Sequence, residues 1–514
     1  MEVSDRTSDP SNRCDKVIQR IVRLLAKLES AEMETKTKSA TIAVVGSGYV
    51  GLVASACFAE IGHHVVCVDN DEAKVRMLQE GGVPIHEEHL PELLERYRGK
   101  TLEFTTDLRA ATQAAEAVFI AVGTPQSETG SADLSFVDAV ASEIARSIDS
   151  YKIIVEKSTV PVYTNEWIRR VVERNGVPKD LFDVTSNPEF LREGTAVVDF
   201  LHADRVVVGT ASDRSAQILR KIYEPLTSGS YYNVPGSVPG PRTALDPPPI
   251  LQTSTKAAEI IKHASNALLA TKISFINVVA NICEAAGADV EEVARGIGLD
   301  SRIGPKFLRA GVGYGGSCFP KDVAAFRHVA EQVGVDFGLL HEVEKINEEQ
   351  KQRFFQKIRS ALWTFRGKKI GVLGLAFKGG TDDIRESPAI DIVKNLLSEG
   401  CNVYAYDPAA GKRCQEVIPE SPKMHYVEDP YAAAQDADAL LILNDWQEFA
   451  ELDLAKLHYT LRYPIVIDGR NLYDAATMIK AGFTYLSVGR PGLAQPLDPV
   501  GAFFLPKRRE SGKS

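Results

Sequence analysis

The segment TIAVVGSGYVG over residues 41–51 limits the possible folds more than any other. A β-branched run ends on Gly46-Ser-Gly48-Tyr49-Val50-Gly51. A helical stretch follows over 52–61, and a second apolar run, HVVCVD, ends on Asp69. A strand entering a helix through a glycine turn, then a second strand, is the first crossover of a doubly wound α/β sheet. Gly46 allows the tight turn, Gly48 lets backbone approach a pyrophosphate, and Gly51 permits close helix–strand packing. The helix start offers N–H groups and positive potential to an anion. Asp69 follows Gly46 by 23 residues, near the usual spacing of about 20. Its carboxylate suits ribose hydroxyls and repels a 2′-phosphate, and no arginine follows it directly. NAD is therefore expected over NADP.

Four more apolar runs, at 117–123, 151–156, 182–188 and 204–209, alternate with helical stretches. Continuous runs of this kind suit strands buried on both faces. Their ends carry Gly123-Thr124-Pro125, Ser158-Thr159-Val160-Pro161 and Asn187-Pro188-Glu189 to the carboxyl edge, where open α/β sheets bind ligands. Residues 228–250 are rich in Pro and Gly and predict an irregular loop, with 234–250 as an insertion. A long helix is expected over 254–286 and shorter ones near 289–297 and 320–334. The βα pattern restarts at 368–379, with strands near 402–408, 437–444 and 464–469. The expected architecture is α/β, with two doubly wound Rossmann-like domains joined by a long central helix and a small helical domain. The divisions are a leader over 1–39, a first sheet domain over 40–250, a helical domain over 251–350, a second sheet domain over 366–495 and a tail over 496–514.

Composition narrows the partners. Lys and Arg number 59 against 69 Asp and Glu, a net charge of −10. That argues against a broad basic surface for nucleic acid. No unbroken apolar run reaches 18 residues, so no membrane span is expected. Residues 13–28 read as a short basic amphipathic helix in a loosely attached leader, and Met33 is a candidate start. The seven cysteines are scattered, with no CxxC pattern, so neither a disulfide framework nor a metal site is expected. The reading is free thiols in a reducing, cytoplasmic setting.

One thiol differs from the rest. Gly311-Val-Gly-Tyr-Gly-Gly-Ser-Cys318-Phe-Pro-Lys-Asp322 leads a glycine run into Cys318. Pro320 suits a first helical turn, which puts Cys318 at a helix start that favours thiolate. Asp322 falls one turn on. In the long helix Glu259, Lys262 and Asn266 lie at i, i+3 and i+7, on one face. Either that stripe is solvated, or it faces a site where Lys262 stabilises oxyanions or exchanges protons.

The ordered motifs VVGSGYVG, VGTP, KSTVPV, NPEFLREGTA, AAEIIKHASNA, GVGYGGSCFPKD, LAFKGGTDDIRES and DGRN resemble those of the UDP-glucose/GDP-mannose dehydrogenase family over residues 40–495. The resemblance implies two successive hydride transfers from a nucleotide-sugar C6 to two NAD molecules. Cys318 would form a thiohemiacetal and then a thioester. Lys262 and Asn266 would stabilise charge on oxygen, Asp322 would act in proton transfer, and Glu189 and Thr159 would position the hydrolytic water. It further implies NAD contacts at Gly46, Gly48, Tyr49, Val50, Gly51, Asp69, Lys74, Thr124, Ser158, Thr159, Glu193 and Arg385. Substrate contacts would be Glu189, Phe190, Leu191, Glu193, Lys262, Asn266, Arg302, Phe307, Gly315, Phe377, Lys378 and Arg470, with Arg302 reaching the substrate of a neighbouring subunit. The second α/β domain would hold the UDP. Its turn, Gly371-Val-Leu-Gly374-Leu-Ala-Phe377-Lys378, lacks the full dinucleotide fingerprint.

Within the family GGSCFPKD favours UDP-glucose over GDP-mannose or UDP-N-acetylmannosamine. A non-catalytic nucleotide-sugar binder is the alternative from another class, and the intact Cys318, Lys262 and Asp322 argue against it. The apolar central helix is the expected contact of a homodimer or higher homo-oligomer. Tyr163 departs from the pattern, standing where the family commonly has glycine.

Overall fold

The computed structural model describes residues 39–125 and 132–491. The leader helix at 13–28, Met33 and the tail over 496–514 lie outside these residues. The chain divides into two compact units, Met1–Lys262 and His263–Ser514.

The first unit is built on eight strands: β1 (Thr41–Val45), β2 (His64–Val68), β3 (Leu102–Thr105), β4 (Ala117–Ile120), β5 (Lys152–Glu156), β6 (Phe182–Ser186), β7 (Val206–Gly209) and β8 (Ile250–Thr253). Their order is β3-β2-β1-β4-β5-β6-β7-β8. The first six strands in that order pair in parallel. β4 and β5 are buried throughout, as their unbroken apolar runs require when helices cover both faces. Phe58 from the helix Tyr49–Glu60 packs on Phe119 of β4 with ring centroids 4.9 Å apart.

The sheet is not parallel throughout. β7 meets β6 antiparallel, through the single pair Ser186–Gly209, and β8 runs parallel to β7. Residues 187–195 have no helix of their own and carry Glu189 and Glu193 instead of starting a crossover. β8 begins at the end of the Pro/Gly-rich stretch, which packs closely on the first unit. Tyr231 is buried and its hydroxyl donates to Glu60 Oε1 at 3.0 Å. A Cβ on Gly240 would sit 2.3 Å from the His202 ring.

The second unit holds six parallel strands: β9 (Lys369–Leu373), β10 (Asn402–Tyr406), β11 (Met424–Tyr426), β12 (Ala439–Ile442), β13 (Ile465–Asp468) and β14 (Thr484–Ser487). Their order is β11-β10-β9-β12-β13-β14. Both sheets therefore follow the doubly wound plan. Their first turns differ. After β1 a helix starts at Tyr49. After β9 the next helix starts only at Pro388. Asp407 Oδ2 closes this second turn by accepting Leu375 N at 2.7 Å and Ala376 N at 3.0 Å.

The helix Thr255–Ala286 runs 32 residues. Among the described residues it alone is long and apolar enough to cross a membrane, by length and composition; 44% of its most apolar window is buried. Ala267, Ala270, Ile276, Ala280 and Cys283 face cores of the second unit, whereas Leu268, Phe275, Val278 and Ile282 are exposed.

Candidate active site

The glycine turn of the first unit fits a dinucleotide. Gly46 has φ +102°, a conformation that disfavours any side chain, and a Cβ there would lie 2.7 Å from Ala121 O. A Cβ on Gly51 would lie 1.7 Å from Gly46 O, so the helix can approach the turn only with glycine at that position. Gly48 is different: a Cβ would meet nothing within 4 Å, so its side is open to a ligand. Gly48 caps the helix without a side-chain hydrogen bond. The N–H groups of Tyr49, Val50 and Gly51 lie in the first helical turn, where an anion is favoured. Asp69, at the end of β2, accepts Ser47 N at 2.8 Å, Ser47 Oγ at 2.6 Å and Lys74 Nζ at 3.0 Å. Burial works against its charge, but these donors hold the carboxyl below the usual range. Lys74 is thus tied to Asp69.

Register brings the other strand ends to this edge, since Val45, Ile120, Glu156 and Ser186 pair across β1, β4, β5 and β6. Thr124 Oγ1 donates to Thr159 O at 2.9 Å and Ser158 Oγ to Val122 O at 2.9 Å. Past β6, Glu189 is buried. Its Oε1 lies 2.7 Å from Lys262 Nζ and its Oε2 accepts Leu191 N at 2.6 Å. Lys262 Nζ also lies 5.5 Å from the Phe190 ring. Glu193 is buried on the same loop.

The polar stripe on the long helix is buried at Glu259, Lys262 and Asn266, which excludes the solvated reading. Glu259 is an anchor: it accepts Tyr163 N, Asn165 N and Asn165 Nδ2, each at 2.9 Å. Tyr163 has φ +79°, which explains why glycine suits that place. Here the Glu259 bond fixes its backbone, and Lys256 Nζ lies 4.9 Å from its ring.

The thiol lies in the second unit. Cys318 is the N-cap of the helix Phe319–Gln332, with Pro320 in the first turn. Among the six described cysteines it alone is partly exposed. Burial pushes the thiols of Cys67, Cys401 and Cys414 up to about 12. Asp322, one turn on, is 1% exposed; its Oδ2 accepts Asn266 Nδ2 at 2.6 Å and its Oδ1 lies 2.8 Å from Lys321 Nζ. The approach to Cys318 is tightly threaded. A Cβ on Gly315 would sit 2.1 Å from Glu386 O, and one on Gly316 would sit 2.8 Å from the Phe377 ring. Phe307, at φ +65°, packs edge-on against Phe319.

A second cluster in this unit concentrates positive charge. Arg470 NH2 donates to Phe377 O at 2.7 Å and its Nε to Leu443 O at 3.1 Å. Asp445 is partly buried, which opposes its charge, yet Arg470, Gly379 N, Arg309 and Lys378 hold its carboxyl below the usual range. Arg309, Lys378 and Arg470 thus gather around Asp445, and Asp468 also acts on Arg470. Arg302 is 87% exposed and paired with Asp300 at 2.6 Å. Arg385 grips Asp383 at 2.7 Å, in the second unit, whereas the fingerprint turn belongs to the first. Among the described residues no group of three His, Cys, Asp or Glu side chains suits a metal ion.

The sequence reading missed several groups. Arg309 pairs with Asp445 at 3.0 Å, and its only signal was a cation between Phe307 and the glycine run. Glu87, 3% exposed, is hydrogen-bonded by Tyr49 Oη and accepts Gly194 N at 2.7 Å, joining the cofactor turn to the Glu193 loop. No local pattern marks it. Lys157, next to Ser158, is buried at the end of β5.

Three domain models of one family match the chain in order. The NAD binding domain of the UDP-glucose/GDP-mannose dehydrogenase family matches residues 40–227, its central domain 256–349 and its UDP binding domain 371–475. UDP-glucose 6-dehydrogenase TuaD of Bacillus subtilis is 46% identical over 464 residues, which cover 90% of this chain and 96% of that protein. UDP-glucose 6-dehydrogenase of Rhizobium meliloti is 43% identical, with 88% and 99% covered. The structure of a UDP-glucose dehydrogenase from Pyrobaculum islandicum superposes with a TM-score of 0.76 at 37% identity, covering 85% of this chain and 96% of that one. With a fingerprint turn, a helix-start thiol and a cationic second sheet all in the matched regions, the chain belongs to the UDP-glucose/GDP-mannose dehydrogenase family.

Proposed function

We propose that this enzyme oxidises UDP-glucose to UDP-glucuronate with NAD, removing four electrons per turnover. The observation that carries the reading is Cys318: a partly exposed thiol at a helix start, one turn from Asp322, in a chain with an intact dinucleotide turn. NAD, when bound, accepts a hydride from the substrate carbon in each oxidation; Gly46, Gly48, Gly51 and Asp69 would hold it.

In the first oxidation C6 loses a hydride and its hydroxyl proton passes to a basic group. Cys318 Sγ then adds to the aldehyde carbon, and its proton goes to the carbonyl oxygen; no electrons leave in this step. Loss of the second hydride and the hydroxyl proton gives a thioester. Water attacks the thioester carbon, the C–S bond breaks, and the thiol recovers a proton. Lys262 and Asn266 are assigned to the oxygen that gains negative charge. Asp322 exchanges protons at Sγ and that oxygen. Glu189, with Thr159, orients the hydrolytic water. Arg309, Lys378 and Arg470 offer the diphosphate a cationic seat, and Phe190, Leu191, Glu193, Phe307, Gly315 and Phe377 line the sugar and nucleotide. Arg302, exposed on its loop, serves a neighbouring subunit, and Arg385 approaches NAD. In functional terms we divide the chain into 40–250 for NAD, 251–350 for the thiol and 366–495 for UDP, in a cytoplasmic enzyme. Two NADH per UDP-glucose consumed is the expected stoichiometry. A ratio of one, or higher turnover on GDP-mannose or UDP-N-acetylmannosamine, overturns the assignment.

The exposed residues Leu268, Phe275, Val278 and Ile282 fall at i, i+7, i+10 and i+14 of one helix, an apolar seam with coiled-coil spacing. We assign this seam to a homodimer contact rather than to a membrane. Leu268→Glu with Phe275→Glu is expected to halve the mass seen by sedimentation, and an unchanged mass refutes the contact.

A further inference from the structure

Glu87 lies outside every helix and strand, yet its carboxyl joins two parts of the first unit that the proposed reaction uses separately. It is 3% exposed and stands just before Leu90 and Leu94, which are fully buried in the core. Its Oε2 accepts Gly194 N at 2.7 Å and is hydrogen-bonded by Tyr49 Oη, and its Oε1 accepts Val197 N at 3.3 Å. Gly194 N also donates to Tyr49 Oη, at 2.6 Å, so both side chains hold the same N–H.

On one side of this junction is the cofactor turn. Tyr49 is the first residue of the helix Tyr49–Glu60, with its N–H in the turn where an anion is favoured and its hydroxyl on Glu87. On the other side is the loop that carries Glu189 and Glu193. That loop is bound into one piece with the helix Ala196–Leu201: Asp199 accepts Arg192 N at 2.8 Å, Arg192 Nε at 3.0 Å and Arg192 NH2 at 2.6 Å. Its front end is pinned to the sheet, where Asn187 Nδ2 donates to Val207 O at 2.8 Å. Its back end is Gly194, which directly follows Glu193 and has φ +84°, a setting that glycine enters and leaves without the strain other residues meet.

With the Gly194 N–H held, the loop is fixed relative to the cofactor turn. With it released, the glycine joint lets the loop take other settings, and substrate must order it again. Either ligand can do that ordering for both: the dinucleotide fixes Tyr49 through its turn, and the sugar fixes the loop through Glu189 and Glu193. We propose that Glu87 is a positioning residue that couples the two ligands: acting through Tyr49 and Gly194, it makes the dinucleotide and the nucleotide sugar each bind more tightly when the other is present. This rests on the roles given above to the glycine turn, Glu189 and Glu193.

The test is the Kd of NADH, read by fluorescence, with and without saturating UDP-glucose; this pair cannot turn over because the nicotinamide is already reduced. In the unaltered enzyme UDP-glucose is expected to lower that Kd about tenfold, and NADH to lower the Kd of UDP-glucose by the same factor, since coupling is reciprocal. In Glu87→Ala and in Tyr49→Phe the factor should fall to about one, and the double variant should fall no further, because both substitutions cut one link. UDP, which lacks the sugar, should show no coupling in any of them. A merely structural Glu87 would lower the melting temperature or shift both affinities and leave their ratio intact; that result overturns the proposal, as does an unaltered enzyme without coupling, or coupling by UDP as strong as by UDP-glucose. Normal UDP-glucose turnover without coupling overturns this inference alone, whereas absence of UDP-glucose binding overturns the substrate assignment as well. Should Glu87→Ala not fold, Tyr49→Phe, which removes a single oxygen, carries the same expectation, and loss of fold in both overturns the proposal in favour of a structural junction.

Discussion

Replacing Cys318 by alanine is expected to abolish UDP-glucuronate formation while leaving NAD affinity unchanged. The fingerprint turn, its Gly46 and Gly51 contacts and Asp69 all lie in the first unit, and the substitution touches none of them. In the second unit it removes one partly exposed sulfur at a helix start, where alanine is tolerated, so folding should be little affected. Without Sγ no covalent adduct forms, and the second oxidation and hydrolysis lose their route. Turnover to uronate should fall by about 10³-fold or more, the scale on which removing a nucleophile acts. NADH per substrate consumed should not exceed one. Mass spectrometry of trapped enzyme should find the sugar adduct on the unaltered protein and none on the variant. Uronate formation at the normal rate in the variant would remove the covalent step from the reaction.

Lys262→Met should produce two separable losses. The Lys262–Glu189 pair is buried on both sides, with 4% and 5% of the side chains exposed. Breaking such a pair from one side leaves an uncompensated charge and costs about 3–5 kcal/mol. The melting temperature should therefore drop, and adding Glu189→Gln should recover most of it. The second loss is in rate. An oxyanion donor typically contributes about 10²–10³ in kcat, and pairing the variant with Glu189→Gln should not return it. Recovery of both stability and rate in the double variant would make Lys262 purely structural.

The sequence revealed much of the fold because the informative strands are continuous apolar runs. β1, β4 and β5 are buried on both faces and stand out in composition. β3, β8, β11 and β14 escaped because they are short and partly exposed, so they lack a long apolar run. The reversal at β7 was hidden too, since one Ser186–Gly209 pair leaves no mark on periodicity. For the site, local spacing sufficed wherever a motif is contiguous, as at Gly46–Gly51 and at Cys318 with Asp322. Spacing also put Lys262 and Asn266 on one helix face, but not their partners. Glu189 and Asp322 become partners only through the fold, Asp322 lying 56 residues from Asn266. Glu87 joins Tyr49 across 38 residues and Arg309 joins Asp445 across 136, distances over which no sequence pattern operates.

The difference between the two first turns also has a bearing on timing. Gly48 opens onto free space at the start of a helix, whereas in the second sheet Ala376 takes the equivalent place, its N–H is held by Asp407, and no helix begins until Pro388. On the proposed four-electron reaction, two hydrides leave through one berth. Spent nicotinamide has to depart and a fresh molecule has to settle while a half-oxidised, reactive carbon waits. A freely diffusing aldehyde would be released during that exchange, so a chain with one working turn needs an anchor whose lifetime exceeds the cofactor's residence. On the proposed mechanism, the helix-start thiol of Cys318 and the incomplete fingerprint of the second sheet are two halves of a single arrangement.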